Sequence, residues 1–249
     1  MTDVSLVVTS CGRLDLLERT LDSFFAMNTY PLAHAILVED SGSASVHEKL
    51  KQQWGNRFEL ILNGQREGQV ASIDKAYERV RTPLIFHCED DWEFTRRGFM
   101  EESLSVLGAD ENLSQVWLRH FFEVTQYTYD TRISRTVDDV LYRHVHRRPG
   151  YNWFGFSFNP GLLRKSCYDL VAPYAGCGGE RRIGEALHKA GKISAVLEEG
   201  AVTHIGQGRH VQDPASATRP RAGSKIHRVL RLLMPPLFLR LLESLKRSS

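Results

Sequence analysis

The sequence predicts an α/β fold built on a mostly parallel sheet flanked by helices, and three observations point to it. Short apolar runs alternate with stretches of helical period over the first hundred residues. The runs have the length and hydrophobicity of buried strands, and each ends in a polar loop. Such an alternation implies right-handed crossovers, which leave the strand exits on one rim, where ligands of open α/β sheets bind.

The first strand covers residues 4–9, and Ser10-Cys11-Gly12-Arg13 is the turn after it. A helix follows, because Leu14, Leu17, Leu21, Phe24 and Phe25 recur at helical spacing while Asp15, Glu18, Arg19 and Asp22 take the other face. Pro31 lies in the next connection. A second strand at 35–38 ends in Glu39-Asp40-Ser41-Gly42-Ser43, with a helix at 45–54. The third strand, 58–62, closes at Asn63-Gly64, and residues 68–80 form a helix with Val70, Ile73, Ala76, Tyr77 and Val80 on one side. The fourth strand begins after Pro83 and runs through Leu84-Ile85-Phe86 into Glu89-Asp90-Asp91-Trp92.

Three adjacent carboxylates repel one another and are cheapest where a cation neutralises them. Hard divalent ions such as Mg2+ or Mn2+ take oxygen ligands of this kind. Without a cation the same residues would be a solvated turn capping the following helix. The exits at 9–13, 39–41, 63–66 and 89–91 converge on one rim, which makes a ligand pocket the expectation there. Arg13 and Arg66 stand in these rim loops and are placed to contact an anionic ligand.

The 249 residues, 42% of them hydrophobic, suffice for a sizeable core. The charge of +2 is uneven: residues 225–249 carry a local excess of +5, which leaves the remainder at about −3. A mildly acidic body argues against a nucleic-acid-binding protein, whose basic residues should line the folded face. The start of the chain has a short apolar run and no basic lead, so export is not expected. Cys11, Cys88, Cys167 and Cys177 form no paired motif and are expected as reduced thiols of a cytoplasmic protein.

Beyond the acidic triplet, residues 96–107 read as a helix and 115–118 as a strand. Residues 121–145 lack a long helical period and suggest short antiparallel strands or a substrate-facing insertion. The stretch from Tyr151 to Gly161 is the most aromatic of the chain, suited either to stacking on a sugar or to the core. The glycine-rich loop Gly176-Cys177-Gly178-Gly179 leads through Glu180 into a helix ending at Gly191. Residues 196–202 are expected as a last strand pair, followed by Thr203-His204-Ile205-Gly206. Residues 211–224 read as a linker or mobile loop, and 225–249 as a basic amphipathic tail broken at Pro235-Pro236. Its basic residues could meet anionic lipid at a membrane surface, or the tail packs on protein.

The segments Val4-Ser5-Leu6-Val7-Val8-Thr9-Ser10, Ile36-Leu37-Val38-Glu39-Asp40-Ser41-Gly42-Ser43 and Phe86-His87-Cys88-Glu89-Asp90-Asp91 together resemble the GT-A-fold glycosyltransferases, especially those similar to family 2. The acidic triplet is similar to that of N-acetylglucosaminyltransferase I, whereas many family members use Asp-x-Asp. The resemblance implies a GT-A domain at 1–210, with a nucleotide-sugar-binding half at 1–119 and an acceptor or catalytic half at 120–210. It implies that Thr9 and Asp40 contact the nucleoside, with Cys11, Arg13 and Arg66 in the same donor-binding set. Asp91 becomes the principal metal ligand and Glu89 the second; Glu89 and Asp90 also belong to the nucleotide-sugar set, Asp90 facing the donor sugar or ribose. His204 stands where many such enzymes carry a late histidine that completes the metal site. Glu180 falls where the family's second acid of a Glu-Asp pair serves as base, although the first acid is missing and Glu replaces Asp; Glu185 is the nearest competitor.

The expectation is then a metal-dependent glycosyltransferase using Mn2+ or Mg2+. It would move a hexosyl or N-acetylhexosaminyl group from a nucleotide-diphosphate sugar to a hydroxyl of a glycan or glycolipid acceptor, with inversion. It would act in polysaccharide or glycolipid assembly, in the cytoplasm or peripherally at the cytoplasmic membrane face. The competing expectation is a catalytically inactive GT-A-like protein that binds nucleotide or glycan.

Overall fold

The computed structural model describes residues 3–124, 132–147, 153–212 and 214. Its main sheet has nine strands in the order β3-β2-β1-β4-β9-β6-β10-β8-β7. These are β1 (Val4–Ser10), β2 (His34–Glu39), β3 (Glu59–Leu62), β4 (Leu84–Glu89), β6 (Leu113–Trp117), β7 (Ser134–Arg135), β8 (Leu141–Val145), β9 (Gly161–Arg164) and β10 (Ile193–Leu197). Only β8 and β9 run against the other strands. A second, antiparallel pair joins β5 (Trp92–Phe94) to β11 (Val202–His204).

Helices cover both faces of the sheet. Along β1, Val4, Leu6 and Val8 join one core cluster and Val7 the other, as the period of a strand requires. The first cluster is filled by α1 (Leu14–Met27), α2 (Ala44–Trp54) and α4 (Phe99–Ala109), through Leu17, Leu21, Phe24, Trp54 and Phe99. The second is filled by α3 (Gln69–Tyr77), α6 (Lys165–Val171), α7 (Tyr174–Cys177) and α8 (Glu180–Lys189), through Ile73, Tyr77, Tyr168, Tyr174 and Ile183. Every residue of β1 is buried.

The parallel register fixes the rim. Ser10 pairs with Glu39 and Thr9 with Glu89, so the ends of β1, β2 and β4 come level. The same sheet crosses from the first 119 residues into the later half, because β9 lies between β4 and β6. That insertion needs Gly161: a Cβ there would stand 2.4 Å from the Val116 carbonyl oxygen.

Several local expectations shift. The helix foreseen from residue 96 starts at Phe99, because Arg96 instead ties the preceding loop to the Gly200 carbonyl (3.1 Å) and to Glu102 (2.8 Å). The last strand pair lies at Ile193–Leu197 and Val202–His204, and its two strands belong to different sheets. The 121–145 stretch opens with the short helix α5 (Phe121–Val124) before the antiparallel β7 and β8. Phe156 and Phe158 of the aromatic stretch are core residues, whereas Tyr151 and Asn152 lie outside the described residues. The tail at 225–249 also lies outside them, and among the described residues no helix is long and apolar enough to cross a membrane. All four cysteines are unpaired.

The second cluster encloses one polar anomaly. His87 of β4 is buried between the Tyr77 and Phe158 rings, each 5.8 Å away, and neither ring nitrogen has a hydrogen-bond partner. Burial therefore lowers its pKa from 6.5 to about 3. The imidazole is neutral in the fold, while the unfolded chain takes up a proton below pH 6.5. Its contribution to stability is complete above that pH and is lost as pH falls towards 3. His87→Leu removes two unpaired polar atoms that cost on the order of 1–3 kcal/mol. Melting curves should show equal or higher stability at pH 7 and a shallower acid-side loss than in the wild type; a steeper loss would contradict this assignment.

Candidate active site

Carboxylates at the strand exits build the rim before any ligand is considered. Glu39, fully buried, accepts the backbone N–H groups of Gly12 (2.9 Å) and Ser41 (2.8 Å) through Oε1, fixing the turns after β1 and β2. Asp40 accepts the Asn63 side-chain amide and the Glu67 N–H, both at 2.8 Å, and the Gly68 N–H at 2.9 Å. Asp40 is thus met by three donors and Glu39 by two, both on Oε1, which offsets the cost of burying the charge although Glu39 Oε2 is buried without a partner among the described residues. Thr9, Cys11 and Ser72 line the pocket between these turns, and burial raises the Cys11 thiol above its usual pKa.

The acidic triplet divides its work. Asp90, only 1% exposed, accepts the Ser10 hydroxyl (2.9 Å) and the Cys11 N–H (3.4 Å) and forms a two-pronged pair with Arg13. Burial still lifts its carboxyl to about 6 against the pull of Arg13. In Asp91 the atom Oδ2 lies 2.8 Å from Arg13 Nη1 and 3.4 Å from His204 Nε2. Glu89 accepts Gln69 Nε2 (2.5 Å) on one oxygen and the Trp92 indole N–H (3.2 Å) on the other. Burial, then the charges of Asp91 and Glu180, raise its carboxyl to about 8. A concentration of negative charge this strong is relieved by a positive ion.

Asp91 and His204 suit a divalent metal. The 3.4 Å between Oδ2 and Nε2 is the span of two neighbouring ligands that each stand about 2.1 Å from one ion. Among the described residues no third His, Cys, Asp or Glu joins them. Glu89, with hydrogen bonds on both oxygens, stands outside that pair. His204 reaches Asp91 because β11 pairs with β5 in a register that sets His204 opposite Trp92. Gly206 then turns directly over the carboxylate: a Cβ on it would lie 2.5 Å from Asp91 Oδ2.

A second cavity of about 750 Å³ adjoins the first, and both are walled by Gly68 and Gln69. Glu180 lines it at the start of α8, where its Oε1 accepts the Phe158 N–H (2.7 Å) and the Ser157 hydroxyl (3.1 Å). Burial raises its pKa, against those two hydrogen bonds. Glu185 has the opposite setting. It sits among Lys189 (3.1 Å), Arg182 (3.3 Å) and Arg181 (3.9 Å), its pKa lowered first by the Lys189 hydrogen bond, and it does not line the cavity.

Thr9, Cys11, Arg13, Asp40, Arg66, Glu89, Asp90 and Asp91 thus share one pocket, His204 meets them through Asp91, and Glu180 lies in the adjoining cavity. Residues 209–212 close the near side of the first pocket: Arg13 donates to the Arg209 carbonyl (3.3 Å) and Arg66 to the Gln212 carbonyl (2.6 Å). Gln69, Trp92, Ser157 and Gly206 were not foreseen. Trp92, next to Asp91, and Gly206, two residues beyond His204, carried a signal in the sequence by their nearness to candidate ligands.

The sequence model of the family described as Glycosyl transferase family 2 matches residues 5–171. No curated protein matches the sequence. A mannosyltransferase from Pyrobaculum calidifontis, solved with GDP-Man and Mn2+, superposes with a TM-score of 0.58 at 12% identity, over 80% of this chain and 55% of its own. GalNAc-T7, solved with UDP, GalNAc and Mn2+, gives 0.54 at 14% identity, over 81% of this chain and 42% of its own. The chain therefore spans about half the length of these structures.

Gly206→Ala tests the packing over Asp91. The methyl must push the carboxylate away from His204, so Mn2+ affinity by calorimetry should fall, while overpacking costs about 1–3 kcal/mol of stability. Unchanged Mn2+ affinity in a folded variant would place the metal away from Asp91.

Proposed function

The chain belongs to glycosyl transferase family 2, and from that premise we propose that it transfers a hexosyl or N-acetylhexosaminyl group from a nucleotide-diphosphate sugar to an acceptor hydroxyl, with inversion. The observation that carries this reading is the pair of adjoining cavities. One holds cationic and acidic groups for a charged leaving group, the other holds one carboxylate with a raised pKa, and Gly68 and Gln69 form their common wall. The two structural neighbours were solved with a nucleotide or nucleotide sugar and Mn2+, which supports the same reading.

In this assignment Thr9 and Asp40 border the nucleoside, and Arg13 and Arg66 stand ready for the diphosphate. Asp91 and His204 would hold Mn2+ or Mg2+, which when bound neutralises charge on the departing diphosphate. Glu89, clamped by Gln69 and Trp92, presents a fixed carboxylate to the donor sugar side. Glu180 takes the proton of the acceptor hydroxyl as that oxygen attacks. Its burial makes it a stronger base than an exposed carboxylate, and the Phe158 and Ser157 bonds hold it in one orientation. A single base and attack from the side opposite the leaving group give inversion. The acceptor is a glycan or glycolipid, and the basic tail is proposed to rest on the cytoplasmic face of a membrane; equal liposome flotation of the full chain and a version lacking residues 225–249 would refute that contact.

Two measurements test the assignment. Nucleotide sugars screened with Mn2+ should include one that raises the melting temperature, by about 2.7 kcal/mol of added stability at a hundredfold excess over Kd. Asp91→Asn should remove that stabilisation. Glu180→Gln should keep donor affinity while turnover falls by about 10²–10⁴. The wild-type rate should drop as pH falls through a pKa above 4.5, because Glu180 must be deprotonated to act. Donor binding without any release of nucleoside diphosphate, in the presence of acceptor or water, would favour an inactive nucleotide-binding protein.

A further inference from the structure

Arg13 has an atom whose contacts tie three parts of the site together. Nη1 donates to Asp91 Oδ2 at 2.8 Å and to the carbonyl of Arg209 at 3.3 Å. The remaining nitrogens, Nε and Nη2, hold Asp90. The Arg13 backbone cannot follow a displaced side chain, since its carbonyl accepts the N–H groups of Leu16 (3.0 Å) and Leu17 (2.9 Å) and so starts α1.

Asp91 Oδ2 is also the oxygen that lies 3.4 Å from His204 Nε2. A divalent ion held by Oδ2 and Nε2 would sit about 2.1 Å from that oxygen. A guanidinium N–H pointing at the same atom from 2.8 Å then meets two units of positive charge at close range. Gly206 lies directly over the carboxylate and closes that side against Asp91 turning aside. The conflict is resolved by Arg13, which can keep Asp90 through Nε and Nη2 while Nη1 lets go.

We propose that Arg13 is an exchangeable counter-cation: a divalent metal displaces its Nη1 from Asp91, and the same displacement releases the Arg209 carbonyl, so that metal binding loosens the 209–212 segment over the nucleotide pocket. The freed N–H donates to the diphosphate of the donor. Three further contacts share the hold on that segment, the Arg209 side chain with Asp15 of α1 (2.8 Å), the Arg209 N–H with the Gly206 carbonyl (3.0 Å) and Arg66 with the Gln212 carbonyl (2.6 Å), so loss of the Nη1 bond relaxes it without detaching it. The inference rests on the metal assignment above and makes Arg13 a positioning residue that sets metal affinity as well as a donor contact.

The test uses Mn2+ alone, with calorimetry for affinity and hydrogen exchange for the amides of Arg209 and His210. Arg13→Gln should bind Mn2+ at least about fivefold more tightly than the wild type, because no cation has to leave Asp91. Arg66→Gln, which removes a charge from the same pocket but not from Asp91, should change Mn2+ affinity much less. In the wild type, Mn2+ should speed exchange at the two amides; in Arg13→Gln exchange should be fast before Mn2+ is added and change little after. If Arg13→Gln fails to fold, Arg13→Met, which keeps the apolar stem and loses the charge, should tighten Mn2+ binding in the same way. Equal Mn2+ affinity in Arg13→Gln and the wild type, or equal tightening by Arg13→Gln and Arg66→Gln, would overturn the exchange while leaving the metal site intact. Failure of both wild type and Arg13→Gln to bind Mn2+ would remove the metal assignment together with the inference.

Discussion

Negative charge brought together by parallel strand register is the constraint on which this structure depends. Because β1, β2 and β4 run the same way and end level, Glu39, Asp40, Glu89, Asp90 and Asp91 collect at one rim, four of them largely or wholly buried. Each must be compensated, and the fold uses several devices to do so. Backbone N–H groups meet Glu39 and Asp40, neutral side-chain donors meet Glu89, and the Arg13 fork meets Asp90. Asp91 shares Arg13 and faces His204, which leaves it the carboxylate best placed for an external cation.

These compensations also tie the loops to one another. Asp40 draws Gly68 to the rim at the point where α3 begins, and the next residue, Gln69, reaches Glu89. One short stretch of backbone therefore lines both the first pocket and the cavity that contains Glu180. A shift at Gly68 would disturb both, so the two cavities are mechanically linked through the start of one helix.

The parallel half of the fold was legible because its strands are covered on both faces and read as plain apolar runs. The seven buried residues of β1 need no partner to be recognised. β5, with three residues, and β9, with four, gave no such signal, since each is a strand only because β11, β4 and β6 are beside it. The site shows the same division. The rim residues follow from strand ends, but Gln69 and Trp92 matter through contacts with Glu89 that no local pattern encodes. Asp90, expected at the donor sugar or ribose, lines the first pocket, and its contacts with Arg13, Ser10 and Cys11 are likewise written in no local pattern.

The choice between Glu180 and Glu185 shows why spacing alone could not assign a base. Both lie on α8, five positions apart, and both are glutamates. A base for a neutral hydroxyl must be desolvated enough to hold its proton, yet not bound to cations that stabilise its charge. Glu185 meets three cationic side chains, and its acidity is increased. Among the described residues Glu180 meets one neutral N–H and one hydroxyl, both on Oε1, beside a cavity, and its basicity is increased. The helix supplies two carboxylates of equal intrinsic chemistry, and their surroundings move them in opposite directions. Only the one moved upward adjoins the pocket where the leaving group is expected.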